Sequence, residues 1–130
     1  MKPALQTVLL VEDNLDIRTI AKAALEMVGG LKVRACESGA EALAAIAEFK
    51  PQLVLLDVMM PDMDGPGVLK ELRGRPDTAA IPVVFLTAKA GASEIQRLRS
   101  LGALEVLTKP FDPMTLHEKV KAAWDKGGKG

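Results

Sequence analysis

Three short apolar runs constrain this chain more than any other feature: Val8–Val11, Leu53–Leu56 and Val83–Leu86. None alternates polar with apolar residues, so neither face of such a strand can meet water. That pattern marks strands of a parallel sheet covered on both faces. Each run also stops at a hydrophilic group: Glu12-Asp13, Asp57 and Thr87 respectively. In open α/β sheets ligands bind beyond the carboxyl ends of the strands. Acid, acid and hydroxyl at three such ends point to one site assembled from distant parts of the chain.

The segments between the runs read as helices. Asn14 is placed as an N-cap, and Ile17, Ile20, Ala21, Ala24, Leu25 and Val28 follow at helical spacing until Gly29-Gly30. Ser38 and Glu41 form an S-x-x-E capping box ahead of Leu43, Ile46 and Ala47. A third helix starts near Asp64–Pro66 and buries Val68, Leu69 and Leu72; a fourth carries Ile95, Leu98 and Leu101, with Gly102 just past its end. Asp112 and Pro113 open a last helix with Leu116, Val120, Ala123 and Trp124 on its inner stripe. Strands are predicted at about 7–11, 31–36, 52–57, 81–87 and 103–107. The alternation βαβαβαβαβα predicts an α/β fold, a five-stranded parallel sheet with helices on both faces. Both doubly wound strand orders fit it.

Composition enters mainly by exclusion. Lys+Arg and Asp+Glu each total 17 in 130 residues, so nothing favours nucleic-acid or membrane binding. Cys36 is the only cysteine and His117 the only histidine, which excludes a disulfide framework and a Cys/His zinc site and fits a cytoplasmic setting. The N-terminus enters the first strand within a few residues, leaving no room for a signal peptide. No apolar run approaches the roughly 20 residues of a membrane helix.

Glu12, Asp13, Asp57, Thr87 and Lys109 are expected at one edge of the sheet. Crowded carboxylates raise one another's pKa values unless a cation neutralises them. Hard oxygen donors with open positions suit Mg²⁺, which bridges to phosphate, and Lys109 supplies a phosphate-seeking charge. Asp57 is then the best candidate for a carboxylate nucleophile forming an acyl phosphate.

These residues carry a specific resemblance. The motifs Val11-Glu12-Asp13-Asn14, Leu55 through Asp57 to Gly65, Leu86-Thr87-Ala88 and Lys109-Pro110-Phe111 occur in the order and spacing of a response-regulator receiver domain (CheY-like), the phosphoacceptor module of two-component signalling. The resemblance covers about residues 5–125. It implies a flavodoxin-like (βα)5 fold with strand order 2-1-3-4-5, a receiver over residues 1–126 and a flexible tail over 127–130. It further implies that Asp57 accepts the phosphoryl group, and that Glu12, Asp13, Asp57 and the Met59 backbone carbonyl hold Mg²⁺, with Mn²⁺ as a substitute. Thr87 would be the switch hydroxyl, Lys109 the phosphoryl-pairing lysine, and Lys109-Pro110 a cis bond. The implied partners are a sensor histidine kinase or histidine phosphotransfer protein, and a downstream protein met by the helix 4–strand 5–helix 5 face, with no direct nucleic-acid or membrane contact. A stand-alone receiver is expected if the chain is complete, and a DNA-binding or enzymatic domain beyond Gly130 if it is a piece of a longer one; either way the domain is expected to be a signalling switch rather than an enzyme. One position departs from the family: Val106 stands where an aromatic residue is usual. A shift led by Thr87 then has to act through the loop after strand 4. Lys89 and Met59 flank the site at positions which, by the resemblance, would tune acyl-phosphate hydrolysis.

Competing readings are weaker. Asp57, Asp62 and Asp64 do not make a calcium loop, because Met59 and Pro61 occupy positions that need oxygen side chains. A Mg²⁺-dependent phosphatase would need an acid two residues after its nucleophile, where Met59 sits. A phosphorylation-independent binding module would be favoured by a broken acidic cluster, and this one is intact. No G-x-x-x-x-G-K-[ST] loop is present to bind a nucleotide.

Overall fold

The apolar runs become strands because only a doubly covered sheet removes every one of their side chains from water. The computed structural model, which describes residues 3–127, orders the chain as follows. β1 (Thr7–Val11) leads to α1 (Leu15–Ala23), which continues as a π-helical turn (Ala24–Val28). Then come β2 (Lys32–Cys36), α2 (Gly39–Phe49), β3 (Leu53–Asp57), α3 (Gly65–Arg73), β4 (Val83–Thr87), α4 (Ala92–Ser100), β5 (Glu105–Thr108) and α5 (Leu116–Gly127). All strands pair in parallel in the order β2-β1-β3-β4-β5, the CheY-like arrangement of the two that alternation allowed. Gly127 closes α5; the rest of the expected tail, residues 128–130, lies outside the described residues.

Every residue of β3 and β4 is buried, whereas the edge strands β2 and β5 are only partly so. Alternate side chains feed two cores. Leu9, Val11, Val54, Leu56, Val83 and Phe85 pack under α2, α3 and α4. Val8, Leu10, Leu53, Leu55, Val84 and Leu86 pack under α1 and α5. A fully buried Leu or Val contributes roughly 1.5–3 kcal/mol, so the central strands are the most firmly held backbone in the molecule. That matters because the candidate residues hang from their ends.

Helix entries follow local chemistry. Asn14, Ser38 and Asp64 each cap a helix by accepting from the backbone N–H three residues on. The second arm of the capping box reaches one residue further back than expected: Glu41 Oε1 accepts from Glu37 N, 3.0 Å away, rather than from Ser38. Asp112 caps a short turn ahead of α5, accepting from Met114 N at 2.9 Å.

Two inner stripes differ from expectation. Ile20 and Val28 are 47 % and 40 % exposed, while Ala21, Ala24 and Leu25 are buried. The π turn, closed by Gly29 N donating to Ala24 O, contains one more residue than an α turn. The extra residue rotates Val28 out of the stripe. In α4 only Leu98 is fully buried, and Leu101 is 44 % exposed.

Candidate functional site

The strand order reverses between β1 and β3, and there the sheet opens a crevice at its C-terminal edge. Glu12 and Asp13 follow β1 immediately, and Asp57 ends β3. Each of these three acids offers a carboxylate oxygen, and the three oxygens all lie within 4.8 Å of one another. Glu12 and Asp57 are almost completely buried, and Asp13 is exposed. Lys109, just past β5, crosses the edge to meet them. Its Nζ lies 2.8 Å from Glu12 Oε1 and donates to Asp57 Oδ1 at 2.9 Å. The Lys109-Pro110 bond is cis, as the resemblance implied.

Electrostatics follow from this packing. Burial pushes the Asp57 carboxyl up to about 6; the Lys109 hydrogen bond opposes the shift, and the Glu12 charge adds to it. Burial pulls the Lys109 ammonium down, but its hydrogen bonds to Glu12 and Asp57 outweigh burial and hold the group above its usual value. The site is thus three acids against one permanent cation. Two buried carboxylates share a single lysine, and a further positive charge would relieve them. Three hard oxygen donors open to solvent at Asp13 fit a divalent cation such as Mg²⁺.

The backbone leaves the space that this crowding needs. A Cβ on Gly65 would stand 2.7 Å from Asp57 O and 3.0 Å from Phe85 Cε1, so only glycine lets α3 start this close to β3. Met60 and Val58 anchor the intervening loop in the core, and Met59 is 64 % exposed. Thr87 is buried at the end of β4, next to β3. Its Oγ1 accepts from Lys89 N at 3.0 Å and so ties down the start of the β4–α4 loop. Thr87 makes no hydrogen bond to the acids. Val106 is buried and pairs in register with Phe85.

Two residues that sequence reasoning left out support the acids. Arg18, one turn into α1, donates from one guanidinium nitrogen to the carbonyls of Glu12 and Asp13, at 3.0 and 3.3 Å. Asp62, considered only for a calcium loop, accepts from the first two N–H groups of α2. Neither contact has a local sequence signal. Cys36 is inert by comparison, since burial raises its thiol to about 11.

Fold and acidic edge together define a CheY-like doubly wound domain with a metal-competent pocket at its switch point. The response regulator receiver domain family model matches residues 8–121, and the chain belongs to that family, the signalling-switch module of two-component systems. Among curated relatives, the "Probable transcriptional regulator ycf27" of Cyanophora paradoxa is 39 % identical over 115 residues, covering 88 % of this chain and 46 % of the relative. The phosphate regulon transcriptional regulatory protein PhoB of Pseudomonas aeruginosa is 38 % identical over 126 residues, covering 96 % and 54 %. The chain therefore spans about half the length of these relatives. Among solved structures, chemotaxis protein CheY4 of Vibrio cholerae superposes with a TM-score of 0.83 at 30 % identity, covering 92 % of this chain and 99 % of that one. Receiver domains bind Mg²⁺ at an acidic pocket and work with histidine kinases or phosphotransfer proteins. No helix among the described residues is long and apolar enough to cross a membrane.

Proposed function

We propose that this domain is a phosphoacceptor switch in which Asp57 takes a phosphoryl group from a phosphohistidine of a sensor kinase or phosphotransfer protein. The observation that carries this reading is the convergence of Lys109 on Glu12 and Asp57, residues separated by up to 97 positions yet within 2.9 Å of one ammonium. An Asp57 carboxylate oxygen attacks phosphorus in line. The new O–P bond forms as the P–N bond to imidazole breaks, and the imidazole leaves with the electron pair. Glu12, Asp13, Asp57 and the Met59 carbonyl would hold Mg²⁺, with Mn²⁺ a substitute. The ion supplies charge neutralisation at the phosphoryl oxygens. Lys109 exchanges part of its carboxylate pairing for a phosphoryl oxygen.

Exposed apolar side chains support a protein donor. Leu15, Met59 and Met114 are 64 %, 64 % and 63 % exposed; Leu15 opens α1 just beyond β1, and Met59 and Met114 lie on the connections leaving the C-terminal ends of β3 and β5. Apolar groups ringing a charged pocket suit a macromolecular partner. The output route starts at Thr87. For its hydroxyl to serve an Asp57 phosphoryl group, the Lys89 N–H bond has to be given up, which frees the β4–α4 loop. The α4–β5–α5 face then shifts toward its protein target with no aromatic ring involved, since position 106 is valine.

The test is incubation with Mg²⁺ and acetyl phosphate, read by intact mass. One added phosphoryl group, absent in Asp57→Asn and after chelation, is the expected result. No adduct with small donors or with a phosphorylated histidine protein overturns the proposal.

A further inference from the structure

The junction of β2 with α2, from the last residue of β2 to the first two of α2 (36–40), contributes no acid to the pocket, yet hydrogen bonds tie it to the loops on both sides of the pocket. Glu12 N donates to Cys36 O at 3.0 Å. On the other side, the β3–α3 loop sends Asp62 across to α2. Asp62 Oδ1 accepts from Gly39 N at 3.3 Å and Oδ2 from Ala40 N at 3.1 Å, so each carboxylate oxygen takes one donor at the head of the helix. Those two N–H groups have no partner within the helix, and an anion is favoured there. The junction is built for close approach. A Cβ on Gly39 would lie 2.9 Å from Val68 Cγ2 and 3.0 Å from Met63 Cβ. The Asp62 carboxyl is held below its usual value, chiefly by the Ala40 N–H, in keeping with an ionised group committed to these bonds.

We infer that Asp62 is a positioning residue, which clamps the β3–α3 loop to the head of α2 and thereby sets the Met59 carbonyl for the cation. The inference rests on the metal site proposed above. Packing also steadies the loop around Met59: Met60 is buried, Gly65 N bonds back to Val58 O at 2.8 Å, and Met63 packs against the core. From Pro61 to Asp64 the chain is mostly exposed, and Asp62 is its hydrogen-bonded link to α2. A carbonyl ligand differs from a carboxylate because it cannot swing on a side chain. It is placed by backbone, so what fixes the backbone fixes the ligand.

The test uses the full chain and Mg²⁺ alone. Mg²⁺ affinity is measured by calorimetry for wild type, Asp62→Ala and Asp62→Asn, with amide hydrogen exchange of the metal-free proteins alongside. Asp62→Ala is expected to bind Mg²⁺ about tenfold more weakly, the low end for loss of an outer-shell partner. Exchange across 58–64 speeds up, and exchange in β1 and β3 does not change. Asp62→Asn, which keeps one acceptor, falls between Ala and wild type. The two variants lose the same charge, so equal losses in Ala and Asn would assign the effect to a remote charge and overturn the clamp. Wild-type affinity in Asp62→Ala would also overturn it. Failure of wild type itself to bind Mg²⁺ would remove the metal site, and the inference with it.

Discussion

Asp57 is costly to the fold as it stands. Its carboxyl is buried beside Glu12, and one lysine serves both. An acid whose pKa is raised on folding, here from 3.8 to about 6, favours the folded state when protonated and penalises it when ionised. The penalty is absent below the unfolded value, grows as pH rises between the two values, and is complete above the folded one. In chelator, Asp57→Asn should therefore raise the urea midpoint at neutral pH. The gain should shrink as the pH falls from about 6 toward 4. A gain that does not change with pH would mean that Asp57 is not the strained group. The same residue shows why the site was legible from sequence. Asp57, Glu12-Asp13 and Thr87 each end an unbroken apolar run, and a run buried on both faces has only one place to present a charge. Asp62 and Arg18 were not legible in this way. Their partners are backbone groups of other connections, and no residue type or spacing marks a backbone partner.

Among the elements, the five helices are held very unequally. α2, α3 and α5 each bury four residues, whereas α4 buries only Leu98 completely. Its N-terminus has no side-chain cap, unlike those of α1, α2 and α3. An element with few buried contacts opens at low free energy. Amide exchange should therefore be faster over residues 92–100 than over α3 or α5. Leu98→Ala, at a cost of about 2–5 kcal/mol, should speed it further there than elsewhere. Uniform loss of protection would show that α4 is no weaker than its neighbours. Spacing alone treated Ile95, Leu98 and Leu101 as equal members of one stripe, because periodicity reports a direction and not a depth. Leu101 lies at the helix end, where the chain turns away through Gly102. Val28 was misread for a different reason. A π turn adds a residue to the helical count, and nothing in Ala24–Val28 announces it.

The whole molecule divides along its sheet. One core joins the central strands to α1 and α5, and the other joins them to α2, α3 and α4. The candidate site lies on the seam, with its acids on β1 and β3 and its lysine beyond β5. Elements on the acid side are braced: Arg18 holds the β1–α1 loop, and Asp62 and Glu12 N hold the β2–α2 connection. On the far side the β4–α4 loop begins at the Thr87–Lys89 hydrogen bond and leads into the least buried helix. Charge pairs tie the opposite end of that region, where Glu105 meets both Arg99 and Lys126. A change at Asp57 should therefore propagate one way, into the loop and α4, and die out at the Glu105 cluster. With Mg²⁺ and a fluoroberyllate phosphoryl mimic, hydrogen exchange should change across residues 88–112 and hold steady over α1, α2 and α3. The unfolding midpoint should rise with ligand concentration, as binding to the folded state alone requires. In Thr87→Ala the midpoint should still rise, because the mimic still binds, while the exchange change at 88–112 is lost. A rise in midpoint with unchanged exchange in the wild type would leave a domain that binds its phosphoryl group without any relay to its output face.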